Sequence, residues 1–164
     1  MSSKPGEWIS PLTAADISKA GISTSWPSIV GGDVWWLETR PEERGRKVVV
    51  SKKLGDLLPA PFSASHSVHE YGGRSYLGIS SGSNYKLYFS NKSDQRIYLI
   101  DSASAPVALT PDTSGSHRYA EIIAVGNEIW WVREIVDGHN CKRDLIAISQ
   151  DGGIRTLVSG HHFY

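Results

Sequence analysis

Three stretches of the chain carry residue types that could do chemistry. The first, Gly78-Ile79-Ser80-Ser81-Gly82, matches the G-x-S-x-G pattern of a nucleophilic serine. Such an elbow needs a strand before the serine and a helix after it. Here Ser83-Asn84 and the run Tyr85-Lys86-Leu87-Tyr88-Phe89 follow, which reads as a second strand, so a Ser/Gly hairpin turn is the better reading. The second stretch is His66-Ser67-Val68-His69-Glu70. Zinc sites of the H-E-x-x-H kind need histidines at i and i+4 on one helical face. These stand at i and i+3, and Tyr71-Gly72-Gly73 disfavours a helix, so the side chains are expected to hydrogen-bond locally and fix a connection. The third, Arg118-Tyr119-Ala120-Glu121, combines a fork donor, an aromatic ring and a carboxylate. It reads as an ion pair at the start of a strand or as part of a ligand-facing rim. His161-His162 are adjacent and do not make a metal site alone; no metal or cofactor is expected.

The elements that must position these residues come from a repeat. Gly31-Gly32-Asp33-Val34-Trp35-Trp36-Leu37 returns as Gly126-Asn127-Glu128-Ile129-Trp130-Trp131-Val132, 95 residues later, counting from Trp35 to Trp130. Each copy is a two-residue turn, a strand, a polar loop and a second strand. Half that offset is close to the period of about 40–50 residues of propeller blades. A middle copy belongs between them, and Tyr85 to Phe89 sits where its strand should be. Consecutive tryptophans in a strand point to opposite sides of the sheet. A blade wedged between two others buries both sides, which accounts for adjacent apolar residues.

The fold expected is therefore all-β, a partial β-propeller of about three four-stranded antiparallel blades. Blade one covers residues 22–62, blade two 63–113 and blade three 114–160, with residues 161–164 entering a fourth. Residues 1–21 form an amino-terminal segment with one short helix: Thr13 with Asp16 fits a capping box, Leu12 with Ile17 a hydrophobic staple, and Gly21 a stop. The loop Arg40-Pro41-Glu42-Glu43-Arg44-Gly45 reads as a solvated tip. Rotation between blades sets a condition on the tryptophans. One of each pair should be deeply buried, and the buried two should occupy opposite positions, Trp35 with Trp131 or Trp36 with Trp130.

Composition excludes some function classes. Lys+Arg and Asp+Glu both number 17, so the net charge is zero and no basic surplus favours nucleic acid or anionic membranes. No apolar stretch follows Met1-Ser2-Ser3-Lys4-Pro5-Gly6-Glu7, so no signal peptide or membrane span is expected. Cys141 is the single cysteine, which excludes an internal disulfide and points to a cytoplasmic setting.

Val68-His69-Glu70-Tyr71-Gly72-Gly73, Tyr88-Phe89-Ser90-Asn91 with Asp94-Gln95-Arg96, Arg118-Tyr119-Ala120-Glu121, and Gly160-His161 with Phe163-Tyr164 occur in this order. Together they resemble the amino-terminal propeller of the prolyl oligopeptidase family of serine peptidases, in its dipeptidyl aminopeptidase and acylaminoacyl peptidase branch. Ser10-Pro11-Leu12-Thr13 resembles the family's opening helix. The resemblance implies a partner α/β-hydrolase domain with a Ser-Asp-His triad, further blades, and a propeller that limits access to the active site. It implies no catalytic residue in this chain. His69, Glu70, Arg118 and Glu121 are the candidate channel or rim residues. Two open blade faces imply self-association. The rival reading is a stand-alone propeller module that binds a protein or small ligand.

Overall fold

A computed structural model describes residues 11–13, 21–70, 73–102, 104–149 and 152–160. Among these, twelve strands form three four-stranded antiparallel sheets, each a meander in chain order. Sheet one holds β1 (Ser23–Val30), β2 (Asp33–Arg40), β3 (Arg46–Ser51) and β4 (Gly55–Asp56). Sheet two holds β5 (Tyr76–Ser81), β6 (Asn84–Ser90), β7 (Ile97–Asp101) and β8 (Val107–Ala108). Sheet three holds β9 (His117–Val125), β10 (Glu128–Asp137), β11 (Asn140–Ile148) and β12 (Ile154–Ser159). This is the partial propeller that the repeat predicts. The expected helix over residues 14–20 lies outside the described residues.

Sheet two is buried on both sides, and β6 shows how. Leu87 and Phe89 join a core with Trp35, Leu37 and Val49 of sheet one. Tyr88, between them, points the other way, into a core with Ile129, Trp131 and Ile146 of sheet three. The two-residue period of a strand thus serves two interfaces from one run. The tryptophans obey the rotational condition. Trp35 is 2% exposed and Trp131 is fully buried, while Trp36 and Trp130 are half-buried.

Trp35 lies against β5 because Gly78 has no side chain. A Cβ there would come 2.5 Å from Trp35 Cζ3 and 2.8 Å from Val30 Cγ2. Tyr85 meets the same indole edge-on, with centroids 5.3 Å apart. The first glycine of the G-x-S-x-G stretch is therefore a packing residue. Ser80 lies in β5, opposite Tyr85 of β6, so the motif is a hairpin and no elbow.

The repeat extends to features that residue types hide. Trp26 and Pro27 together oppose Trp36, and Glu121 and Ile122 together oppose Trp131. Each is a β-bulge, two residues against one. Trp26 and Glu121 both have φ of +52°, and they too stand 95 positions apart. The acid at the start of each repeat has one role as well. Asp33 accepts the Trp35 indole N–H at 3.1 Å, and Glu128 accepts that of Trp130 at 3.1 Å. Burial raises the Asp33 pKa, but hydrogen bonds from Ser51, the Val34 N–H and Trp35 outweigh it and hold the carboxyl below its ordinary value.

The loop after β2 differs from a solvated tip. Arg40 bridges Glu38 at 2.8 Å and Asp56 at 2.6 Å, and also Glu43 at 3.3 Å. Arg46 donates to the Leu58 and Phe62 carbonyls. These guanidiniums tie β2, β3 and β4 to the connection that leaves sheet one.

Replacing Trp35 or Trp131 by Ala should cost about 3–5 kcal/mol each, and replacing Trp36 or Trp130 clearly less. Denaturant unfolding of the four variants checks the ranking. Equal costs at Trp35 and Trp36 would contradict it.

Candidate functional site

The site is built on the connection between sheets one and two. The Ala64 N–H donates to the Lys47 carbonyl of β3 and the Ser65 N–H to the Ser90 carbonyl of β6, both at 2.9 Å. Asn91 Oδ1 accepts the Ser63 N–H at 3.1 Å, and Gln95 Oε1 accepts the Ser67 N–H at 2.8 Å. The backbone is thereby fixed just before the residues singled out in the sequence. A tight, kinked turn over Val68–Glu70 follows, with Val68 buried. His69 and Glu70 both sit in the left-handed region, at φ of +55° and +63°. For residues other than glycine such backbone costs about 1–3 kcal/mol each and persists only where surrounding structure holds it.

What holds it is a ladder of charge across sheet three. Arg118 of β9, Glu134 of β10 and Arg143 of β11 stand directly opposite one another in the strand register. The Glu134 side chain is 3% exposed. It accepts from Arg143 Nε at 2.8 Å and Nη2 at 2.7 Å, and from Arg118 Nη1 at 3.4 Å. It also accepts the His69 N–H at 3.4 Å. Arg118 Nη1 reaches on to the Ser67 carbonyl at 3.1 Å and to Glu70 Oε1 at 2.6 Å. Burial raises the Glu134 pKa, but hydrogen bonds from Cys141, Arg143 and the His69 N–H outweigh it, so the carboxyl sits below its ordinary value. A buried carboxylate with two guanidinium partners is the arrangement that makes such burial tolerable.

Of the four candidate residues, His69, Glu70 and Arg118 are thus brought together. Glu70 presents its carboxylate to solvent, its side chain 75% exposed, beside the buried ladder. Glu121 lies on the bulge of β9 and clasps the chain where it enters sheet two. Its Oε1 accepts the Arg74 N–H at 2.9 Å, and its own N–H donates to the Arg74 carbonyl at 3.0 Å. Gly73 leaves room for this carboxylate; a Cβ there would collide with Glu121 Oε1 and come 3.3 Å from His66 Nε2. His66 is buried, and its Nδ1 accepts the Val68 N–H at 3.3 Å, the local role expected for it. Burial holds its pKa below the ordinary histidine value. Glu134 and Arg143 were not singled out from the sequence. Their signal is the register across the hairpin at Gly138-His139, where Asp137 opposes Asn140 and so Glu134 opposes Arg143.

Chemically the arrangement offers one exposed carboxylate in a fixed position. The strain is placed so that Glu70 faces solvent while His69 turns its N–H inward. No helix among the described residues is long and apolar enough to cross a membrane.

The Glu134 carboxylate has a depressed native pKa, so its contribution is present above the ordinary glutamate value of about 4.5 and is lost as pH falls below it. Glu134→Gln should cost about 3 kcal/mol at neutral pH and flatten the acid limb of stability. Unfolding measured against pH checks both. A variant that keeps the wild-type acid limb would contradict the assignment.

No family model matches the chain, and no curated protein matches it. Solved structures do. A puromycin-hydrolysing peptidase of Mycobacterium tuberculosis is 39% identical with a TM-score of 0.85, over 97% of this chain and 28% of that one. A puromycin hydrolase is 30% identical with a TM-score of 0.82, over 95% of this chain and 27% of that one. A mutant puromycin hydrolase complexed with PGG is 29% identical, again at 0.82. The chain therefore spans under a third of the length of the structures it matches. The motifs that run in order from Val68 to Gly160 and the three meander sheets lead to one assignment: the chain belongs to the prolyl oligopeptidase family, as a segment of its β-propeller.

Proposed function

We propose that this chain serves a serine peptidase that hydrolyses short peptides near their amino termini, and that its blades restrict access to the active site. The observation that carries the reading is the 39% identity over 97% of the chain to a puromycin-hydrolysing peptidase. The chemistry belongs to a partner α/β-hydrolase domain, with acyl transfer through a serine ester. Further blades complete the propeller, and the blades here run over 22–62, 63–113 and 114–160. The cell compartment proposed is the cytoplasm, on the strength of the lone Cys141.

His69, Glu70, Arg118 and Glu121 are the proposed rim residues. The exposed Glu70 carboxylate suits the ammonium of a short peptide. Fixing Glu70 in place with Arg118 lowers the entropy lost on binding.

Two experiments test this. The 164-residue chain should not label with a fluorophosphonate, because Ser80 lies in a hairpin; stoichiometric labelling at Ser80 would overturn that. In the complete protein that carries this segment, Glu70→Gln should raise KM for short peptides with a free amino group and leave kcat near its original value. Equal effects on amino-acylated substrates would contradict the role of Glu70.

A further inference from the structure

We propose that His66 is the positioning residue for the Glu70 carboxylate, and that it holds the turn only while its ring is neutral. The use of Glu70 for a peptide ammonium rests on the reading above; the coupling of His66 to the turn rests on geometry. His66 is 8% exposed, and its Nδ1 accepts the buried Val68 N–H at 3.3 Å. A ring nitrogen that accepts carries no proton, so the single proton of the neutral imidazole stands on Nε2. Nε2 is buried as well and finds no hydrogen-bond acceptor in good geometry. It faces the space beside Gly73 that it shares with the Glu121 carboxylate, since a Cβ on Gly73 would touch both.

A second proton can go only to Nδ1, the atom that meets the Val68 N–H. Two donors then point at each other, and the hydrogen bond is lost. Val68 opens the kinked turn in which His69 and Glu70 hold left-handed backbone. Such backbone persists only where its surroundings hold it. Arg118 holds the Ser67 carbonyl and the Glu70 carboxylate, and His66 fixes Val68 between them. Without the Val68 bond the turn loses its buried anchor, and Glu70 leaves its place beside Arg118. Burial is the largest effect on the ring and disfavours its charged form, as does Lys47 of β3. The Gly73 backbone, Glu121 of β9 and Glu134 of β10 favour it, and His69 and Glu70 are the titratable groups of the turn itself. Burial prevails and holds the ring below the ordinary histidine value of about 6.5. The turn is therefore whole above that value and is released as pH falls below it.

Asparagine and glutamine at position 66 separate positioning from the filling of space. Asparagine puts its Oδ1 where Nδ1 stands, accepts the Val68 N–H and does not titrate. Glutamine is nearer histidine in size but reaches past that point. The test follows the 164-residue chain by NMR against pH, with circular dichroism to verify folding. The His66 ring should be the Nε2–H tautomer at neutral pH, and the Val68 and Glu70 amides should shift together with its protonation. In His66→Asn that shift should vanish, and in His66→Gln the two amides should sit displaced at every pH. In the complete protein that carries this segment, KM for short peptides with a free amino group should rise several-fold across the same pH step. It should stay level in His66→Asn and be raised throughout in His66→Gln. A ring that stays neutral until the chain unfolds, amides that ignore its protonation, or rescue by glutamine in place of asparagine would each overturn the proposal. Amides that follow His66 with a KM that does not would uphold the coupling and overturn the ammonium reading of Glu70.

Discussion

Strand β6 is the element on which the rest depends, because its alternate side chains belong to two cores. Leu87 and Phe89 close the core with sheet one, and Tyr88 closes the core with sheet three. A strand between two sheets has no solvent side, so the usual alternation of apolar and polar residues gives way to a continuous run. The doubled tryptophans of β2 and β10 are the outer counterparts of that run. Each pair offers one indole to sheet two and leaves one facing away, and rotation between the sheets decides which.

The site inherits its geometry from this packing. Sheets one and two come together with Gly78 under Trp35, which sets the path of the connection that carries His66 to Glu70. The connection then meets sheet three, where the Arg118–Glu134–Arg143 ladder holds the strained His69-Glu70 pair. Core packing thus determines where one exposed carboxylate stands. The same ladder ties the connection between sheets one and two to sheet three, so the site and the packing of the three sheets share one set of contacts.

Much of the fold was legible because the signals are local. The turn Gly31-Gly32, the tryptophan pairs and the apolar run of β6 each show their structure in a few consecutive residues. The bulges were not legible: Trp26 and Glu121 are equivalent by position and backbone angle, yet share no chemistry that a reader could match. The candidate site was half visible. His69, Glu70 and Arg118 stand in recognisable motifs, and the structure joins them. Glu134 and Arg143 were hidden because their pairing depends on exact register. The strands β10 and β11 run three to four residues further toward their hairpin than the hydrophobic pattern indicates, and a charge at a strand end looks like a boundary until the partner strand is in place. The charges from Arg40 to Gly45 misled for a related reason, since Asp56 comes within reach of Arg40 only after β4 has formed.

The central claim is that β6 divides its side chains between the two neighbouring sheets, and a pair of double-mutant cycles tests it most directly. Trp35→Leu with Tyr85→Leu should show coupling of more than about 0.5 kcal/mol, because the two rings meet edge to face across sheets one and two. Trp131→Leu with Tyr85→Leu should be additive, because Trp131 packs on the opposite side of sheet two. Coupling of equal size in both cycles, or none in the first, would contradict the account.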